Sequence, residues 1–327
     1  MIRLATADEA AQKKATRAAY GETLAELLDE GMPIVAVDAD LSGSTTTSKF
    51  AASSEEAAKR LFNVGIAEQN MVDVAAGLAL AGNVAFTGSF AVFGTGRAYD
   101  QIRNTVCYSN LDVKIAPTHS GISVGPDSGS HQMLEDIALM RVLPRMKVFV
   151  PADYTSAKGA IRLAAKTPGP VYVRLGRASV PTVYAEGSQF ELGQANVLRE
   201  GADVTIVACG VEIREALAAA DLLADRGISA EVIDAFCIKP LDVDTIAASA
   251  AKTGCVVTAE EHSVNGGLGE AVAHALAEAC PVPMCMVGMN DAFGKSGEFE
   301  ELLDYFSLGA SSIADAAAKV YEKAKNC

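Results

Sequence analysis

Two of the chain's four histidines, His119 and His131, stand at the ends of the segment THSGISVGPDSGSHQ. Between them lie Gly121, Gly125 and Gly129, with Pro126 and Asp127. Glycines let a backbone approach a ligand closely, and imidazoles offer donors or proton carriers near neutral pH. The plainer alternative is a surface loop whose His131 caps or opens the next helix. Long ordered loops are nevertheless often functional. A twelve-position spacing of the histidines fits no common zinc motif, so no metal site is read here.

Glu68 is the single acid in FNVGIAEQNM, at the point where a helix begins. An acid there favours the positive end of the helix dipole. Its neighbours Val64, Ile66, Ala67 and Met71 point instead to burial, which favours a neutral or proton-sharing carboxyl. Full burial outweighs a surface-scale dipole effect, so Glu68 reads as a group able to hydrogen-bond a ring nitrogen. Phe90 and Phe93, at i, i+3 after a strand, are either core or a flat apolar slot for an aromatic ligand. Arg17 and Arg177 sit near element boundaries, as solvated charges or as forks for phosphate. Ser44, in DADLSGSTTT, belongs either to a plain polar turn or to one that holds an anion.

These residues need elements to position them. Buried strands are expected at 32–38, 84–87, 113–117, 146–150 and 170–175, and helices at 16–30, 67–81, 97–108, 131–141 and 153–166. That alternation predicts an α/β fold, with a mostly parallel sheet covered by helices on both faces. Functional loops then gather at the carboxyl ends of the strands, where Asp38, Asp40, Ser89, Phe90 and His119 fall. The polar stretch 176–200 reads as a linker. A second α/β unit follows from about 193, with strands in VTIVACG, SAEVIDAF, CVVTAEE and PMCMVG and two terminal helices. The expected domains are 1–185 and a smaller 186–327.

Bulk properties narrow the function. A length of 327 residues suggests about two domains. A net charge of −14 argues against nucleic acid and anionic membrane surfaces as partners. The cysteines are odd in number and form no CxxC pair, as expected of reduced thiols in a cytoplasmic protein. The start, MIRLATADEAAQKKATR, has no signal-peptide core, and MVDVAAGLALAG is too short to span a bilayer.

Taken together, GIAEQN, GSFAVF, THSGISVGPDSGSHQ, VIDAFCIKPLD and EEHSVNGGLGEAV resemble the C-terminal part of transketolase, through nearly the whole chain. The resemblance implies a thiamine-diphosphate pyrimidine-binding domain followed by the transketolase C-terminal domain. It implies that Glu68 hydrogen-bonds the cofactor's aminopyrimidine, that Phe90 and Phe93 line the pyrimidine slot, and that Asp40 lies near the thiazolium. It further implies that His131 acts beside the reacting carbonyl, that Asp127 reads a sugar hydroxyl, and that His119, Arg17, Ser44 and Arg177 grip sugar phosphate. The implied activity is transfer of a two-carbon ketol unit from a ketose phosphate to an aldose phosphate, as in the pentose phosphate pathway.

The Gly-Asp-Gly signature that carries the diphosphate and magnesium in such enzymes is absent from the sequence. The resemblance therefore implies a separate N-terminal subunit that supplies the Mg2+ ligands, in an α2β2 assembly with the active site between chains. Gly96 stands where many relatives have tyrosine, and Pro126, Ser128 and Gly129 also depart from the common pattern. These changes bear on the choice of sugars. A similar RAYDQ run (97–101) keeps a 1-deoxyxylulose-5-phosphate synthase-like subunit as an alternative. A 2-oxoacid dehydrogenase β subunit is more distant, and a non-catalytic regulatory subunit is the alternative of another class. The C-terminal domain, with His262 and His274, is expected to serve assembly.

Overall fold

The computed structural model describes residues 2–326. Among them the strands are, in chain order, β1 (Lys13–Ala15), β2 (Ile34–Asp38), β3 (Leu61–Asn63), β4 (Val84–Gly88), β5 (Val113–Ile115), β6 (Lys147–Phe149), β7 (Val171–Val173), β8 (Ser179–Pro181), β9 (Asn196–Arg199), β10 (Val204–Ala208), β11 (Ala230–Asp234), β12 (Cys237–Lys239), β13 (Val256–Ser263) and β14 (Met284–Met289). The first sheet runs β12-β6-β7-β5-β4-β2-β3 and is parallel except where β12 meets β6. The second runs β14-β13-β10-β11-β9 and is parallel except for β9.

Strand β2 shows why helices cover both faces of the first sheet. All five of its residues are buried. Successive side chains of a strand point to opposite faces. Ile34 and Ala36 pack with Leu24 and Leu27 of the helix Ala18–Asp29, whereas Val35 and Val37 pack with Met71 and Val72 of the helix Glu68–Leu80. An unbroken apolar run is what such two-sided burial requires.

The structure departs from the sequence-based expectations at several points. The helix expected at 131–141 begins only at Asp136 and ends at Val142. Residues 131–135 are drawn into other bonds: the Met133 carbonyl accepts from Gly121 N–H at 2.9 Å, and the Leu134 carbonyl accepts from Ser263 N–H at 2.8 Å. The stretch expected as helix 97–108 winds largely as π turns over Ile102–Tyr108. The stretch read as a linker holds β8, which pairs with β1, and β9, an edge of the second sheet. The short, mostly exposed β3 was not anticipated. Nor was β12, which lies in the chain's second half yet extends the first sheet.

Candidate active site at the strand carboxyl ends

The loops leaving β2, β4, β5 and β7 converge at one end of the first sheet, the usual position for a ligand in such a fold. Beyond β4 and β5 the pairing continues by a bridge between Phe90 and Thr118, with Ala91 N–H donating to the Thr118 carbonyl at 2.7 Å. This extension lays the Phe90 ring on the His119 ring, with centroids 3.8 Å apart and planes at 27°. Phe93 lies nearly parallel to Phe90, at 6.2 Å and 16°, and meets His131 edge-on at 5.5 Å. Both phenyl rings are only half-buried, so they line a surface and are not core.

Glu68 heads the helix Glu68–Leu80 and is 2% exposed. Its surroundings are not purely apolar: Arg97 Nη1 reaches Glu68 Oε2 at 2.8 Å, and the Arg97 guanidinium lies 4.5 Å from the Phe93 centroid. Sequence reasoning missed this partner. The available signal was its place four residues beyond Phe93 on a helical segment, a spacing that puts side chains on one face.

His119 is buried and sits at φ +62°, a backbone region that non-glycine residues rarely enter without a functional constraint. Its Nδ1 and the Thr118 hydroxyl share a hydrogen bond of 2.7 Å. Burial, then the fields of Arg17, Arg177 and His131, push its pKa down to about 3. The ring is therefore a neutral hydrogen-bonding group near pH 7. Arg17 Nη1 donates to the Ser44 carbonyl at 2.7 Å and Arg177 Nη1 to the Val124 carbonyl at 3.0 Å. The Arg17 pKa is lowered by burial and by Arg177, against the opposing pull of Asp127. Two arginines, two histidines and one exposed acid thus share a small region whose net field attracts an anion.

The turn that carries Ser44 is held by Asp38, whose carboxylate accepts from Leu41 N–H at 2.7 Å and from the Thr45 and Thr47 hydroxyls, each at 2.8 Å. A Cβ on Gly88 would fall 2.5 Å from Asp38 Oδ2, so only glycine fits at the end of β4. Asp40 stands apart on the exposed side of this turn, at φ +65°, accepting from Asn63 Nδ2 at 3.2 Å. Glu68, Phe90, Phe93, His119 and His131 are brought together, and Arg17, Ser44, Asp127 and Arg177 flank them. Among the described residues, no group of three or more His, Cys, Asp or Glu is arranged to hold a metal ion.

The model of the transketolase pyrimidine-binding domain matches residues 12–182, and that of the transketolase C-terminal domain matches residues 193–313. A Methanocaldococcus jannaschii protein named provisionally as a transketolase C-terminal section is 48% identical over 304 residues, covering 92% of this chain and 94% of that one. A 6-deoxy-6-sulfo-D-fructose transketolase subunit from a Clostridium strain is 42% identical, covering 94% of each chain. The solved structure of a split-gene transketolase, an inactive β4 tetramer, superposes with a TM-score of 0.86 at 49% identity and covers 95% of this chain and 99% of that one.

Proposed function

The chain belongs to the transketolase family, and from that premise we propose that it is the C-terminal subunit of a two-chain, thiamine-diphosphate-dependent transketolase. It moves a two-carbon ketol unit from a ketose phosphate to an aldose phosphate. The observation that carries this reading is the juxtaposition of a buried carboxyl, Glu68, and a pair of aromatic rings with an arginine- and histidine-lined anion site.

The residues fit the ring half of the cofactor. A carboxyl at the head of a helix, beside two half-buried phenyl rings, is a donor set for a flat aminopyrimidine. The diphosphate half calls for Mg2+, a cation that needs oxygen ligands around phosphate, and the Gly-Asp-Gly run that would bring them does not occur in the sequence. Those ligands are assigned to an N-terminal subunit, in an assembly we take as α2β2. The names of the relatives support that division: one is a C-terminal section, one a subunit, and one a split-gene β4 form described as inactive. We place the chain in a reducing, cytoplasmic setting, a reading that rests on its odd number of cysteines and the lack of a CxxC pair.

When bound, thiamine diphosphate supplies the carbon nucleophile that carries the ketol unit. Glu68 shares a proton between its carboxyl and the pyrimidine ring nitrogen. Phe90 and Phe93 hold the ring flat and keep water from it. His131 holds or exchanges a proton at the sugar oxygen beside the reacting carbonyl. His119, neutral and hydrogen-bonded, helps hold the sugar phosphate without adding charge, while Arg17, Arg177 and the Ser44 turn bind it. Asp127 would accept from a sugar hydroxyl, and Asp40 would face the thiazolium of the bound cofactor.

Reconstitution tests the reading. The chain is mixed with an N-terminal subunit, thiamine diphosphate and Mg2+, and two-carbon transfer between a ketose phosphate and an aldose phosphate is followed. Transfer by the mixture alone is the expected result. Pyruvate consumption would point to a 1-deoxyxylulose-5-phosphate synthase-like subunit, and a mixture that binds no cofactor would point to a regulatory one.

A further inference from the structure

A carboxylate of the C-terminal domain, Glu261, reaches the loop that carries the anion site. Glu261, in β13, is buried; its Oε2 accepts from Ser123 N–H at 2.9 Å and its Oε1 from the Ser123 hydroxyl at 3.2 Å. Arg174, just past β7, balances its charge, with Nη1 at 3.2 Å from Glu261 Oε1 and Nε at 2.7 Å from Asp136 Oδ2. Arg174 Nη2 also donates to the carbonyls of Glu261 and Met133, at 3.2 and 3.4 Å. A buried ion network of this kind is weak evidence for stability, but it fixes geometry.

The approach is close enough to dictate sequence. A Cβ on Gly121, which lies at φ +74°, would fall 2.1 Å from the Glu261 carboxyl carbon. The residue after Ser123 is Val124, whose carbonyl accepts from Arg177 Nη1 at 3.0 Å. The point held by Glu261 is thus one residue from the carbonyl that aims Arg177 and four from His119. The far end of the same loop is closed by residues 294–297 of the C-terminal domain. Gln132 Nε2 donates to the Lys295 carbonyl at 2.9 Å, and the Ser296 hydroxyl donates to the Pro126 carbonyl at 3.0 Å.

We propose that Glu261 is a positioning residue of the sugar-phosphate grip: by fixing Ser123 and hence the Val124 carbonyl, it aims the Arg177 guanidinium at the phosphate. The C-terminal domain thereby sets affinity for the phosphorylated end of the sugar, beyond its role in assembly. The identity of the ligand as a sugar phosphate rests on the proposed function; the anion itself rests on local geometry.

The test uses the two-chain complex saturated with thiamine diphosphate and Mg2+. Glu261→Gln, Glu261→Ala and Ser123→Ala are compared with the parent, and Arg177→Ala marks binding at this grip. Inorganic phosphate is titrated calorimetrically, and kinetics are measured with an aldose phosphate and with the same aldose lacking phosphate. Expected for Glu261→Ala are about tenfold weaker phosphate binding and a similar rise in KM for the phosphorylated acceptor, with kcat and the unphosphorylated acceptor little changed. Glu261→Gln keeps an acceptor oxygen for Ser123 N–H and is milder. Unchanged phosphate affinity, or equal losses toward both acceptors, overturns the proposal. If Glu261→Ala fails to fold, Ser123→Ala, which deletes one hydroxyl, decides by the same readouts. If the parent transfers no ketol unit, the functional reading falls, while the phosphate titration still judges the clamp.

Discussion

The Arg97 guanidinium and the Glu68 carboxylate meet at 2.8 Å, and the same guanidinium lies over the Phe93 ring. In the proposed function that carboxyl serves the aminopyrimidine, so Arg97 and the cofactor ring compete for one group. Arg97 is half-exposed, at 50%, but the Glu68 side chain is only 2% exposed, so the roughly 0–1 kcal/mol of a fully exposed pair is a lower bound for this one. The ring can displace it only by giving the buried carboxyl a replacement partner.

Arg97→Ala is accordingly expected to strengthen thiamine-diphosphate binding by the two-chain complex, by about fivefold or more. Calorimetric or fluorescence titration measures it. Weaker binding would show that Arg97 supports the ring and does not rival it.

Glu68→Ala is expected to reduce turnover by about 10²- to 10⁴-fold, the usual range for a lost proton relay. Single-turnover kinetics of the reconstituted complex read the loss, with thermal unfolding as the folding control. Near-normal turnover would remove Glu68 from the mechanism.

Arg177→Lys is expected to raise KM for a phosphorylated acceptor by about tenfold, because an ammonium cannot reproduce the planar fork. The change should be absent with the unphosphorylated aldose. An equal effect on both acceptors would mean that Arg177 serves the fold and not the phosphate.

The depressed pKa of His119, about 3 against an ordinary 6.5, has a definite sign in stability. Between those values the unfolded chain binds the proton and the folded chain does not. The contribution of this ring is fully present above pH 6.5 and is lost as pH falls toward 3, at up to about 1.4 kcal/mol per pH unit. Urea unfolding of the parent and of His119→Gln between pH 7 and pH 5 should show the parent losing its relative advantage on acidification. The His119 ring resonances should not titrate in that range.

Gly121→Ala is expected to destabilise the chain by about 2–3 kcal/mol, through both a strained backbone and a clash with Glu261. Thermal unfolding tests it. A neutral effect would mean that the loop 121–132 shifts freely.

Much of the fold was legible because two-sided burial leaves a plain trace. β2, β4 and β10 are near-continuous apolar runs with every residue buried, and that pattern needs no partner to be read. β3 and β8 carry no such trace, since they are short, edge-placed and partly exposed. The start of the helix at Asp136 was illegible because Met133 and Leu134 are held by residues distant in sequence. The site divides in the same way. Residue type and loop position pointed to His119, Glu68 and Arg177, whereas Ser123 and Glu261 meet through a contact that no spacing rule encodes, and Arg97 left only its spacing from Phe93 as a signal. The Ser123–Glu261 pair spans 138 positions.

β12 lies beyond residue 186 yet pairs with β6 of the first sheet. A fragment cut at the apparent boundary would leave the β6 edge without that neighbour, and bare strand edges invite pairing with other chains. Separately expressed halves are therefore poor reagents: the front piece would be prone to clump, and the rear piece would carry an orphan strand. The chain is best handled, swapped or fused as one indivisible block.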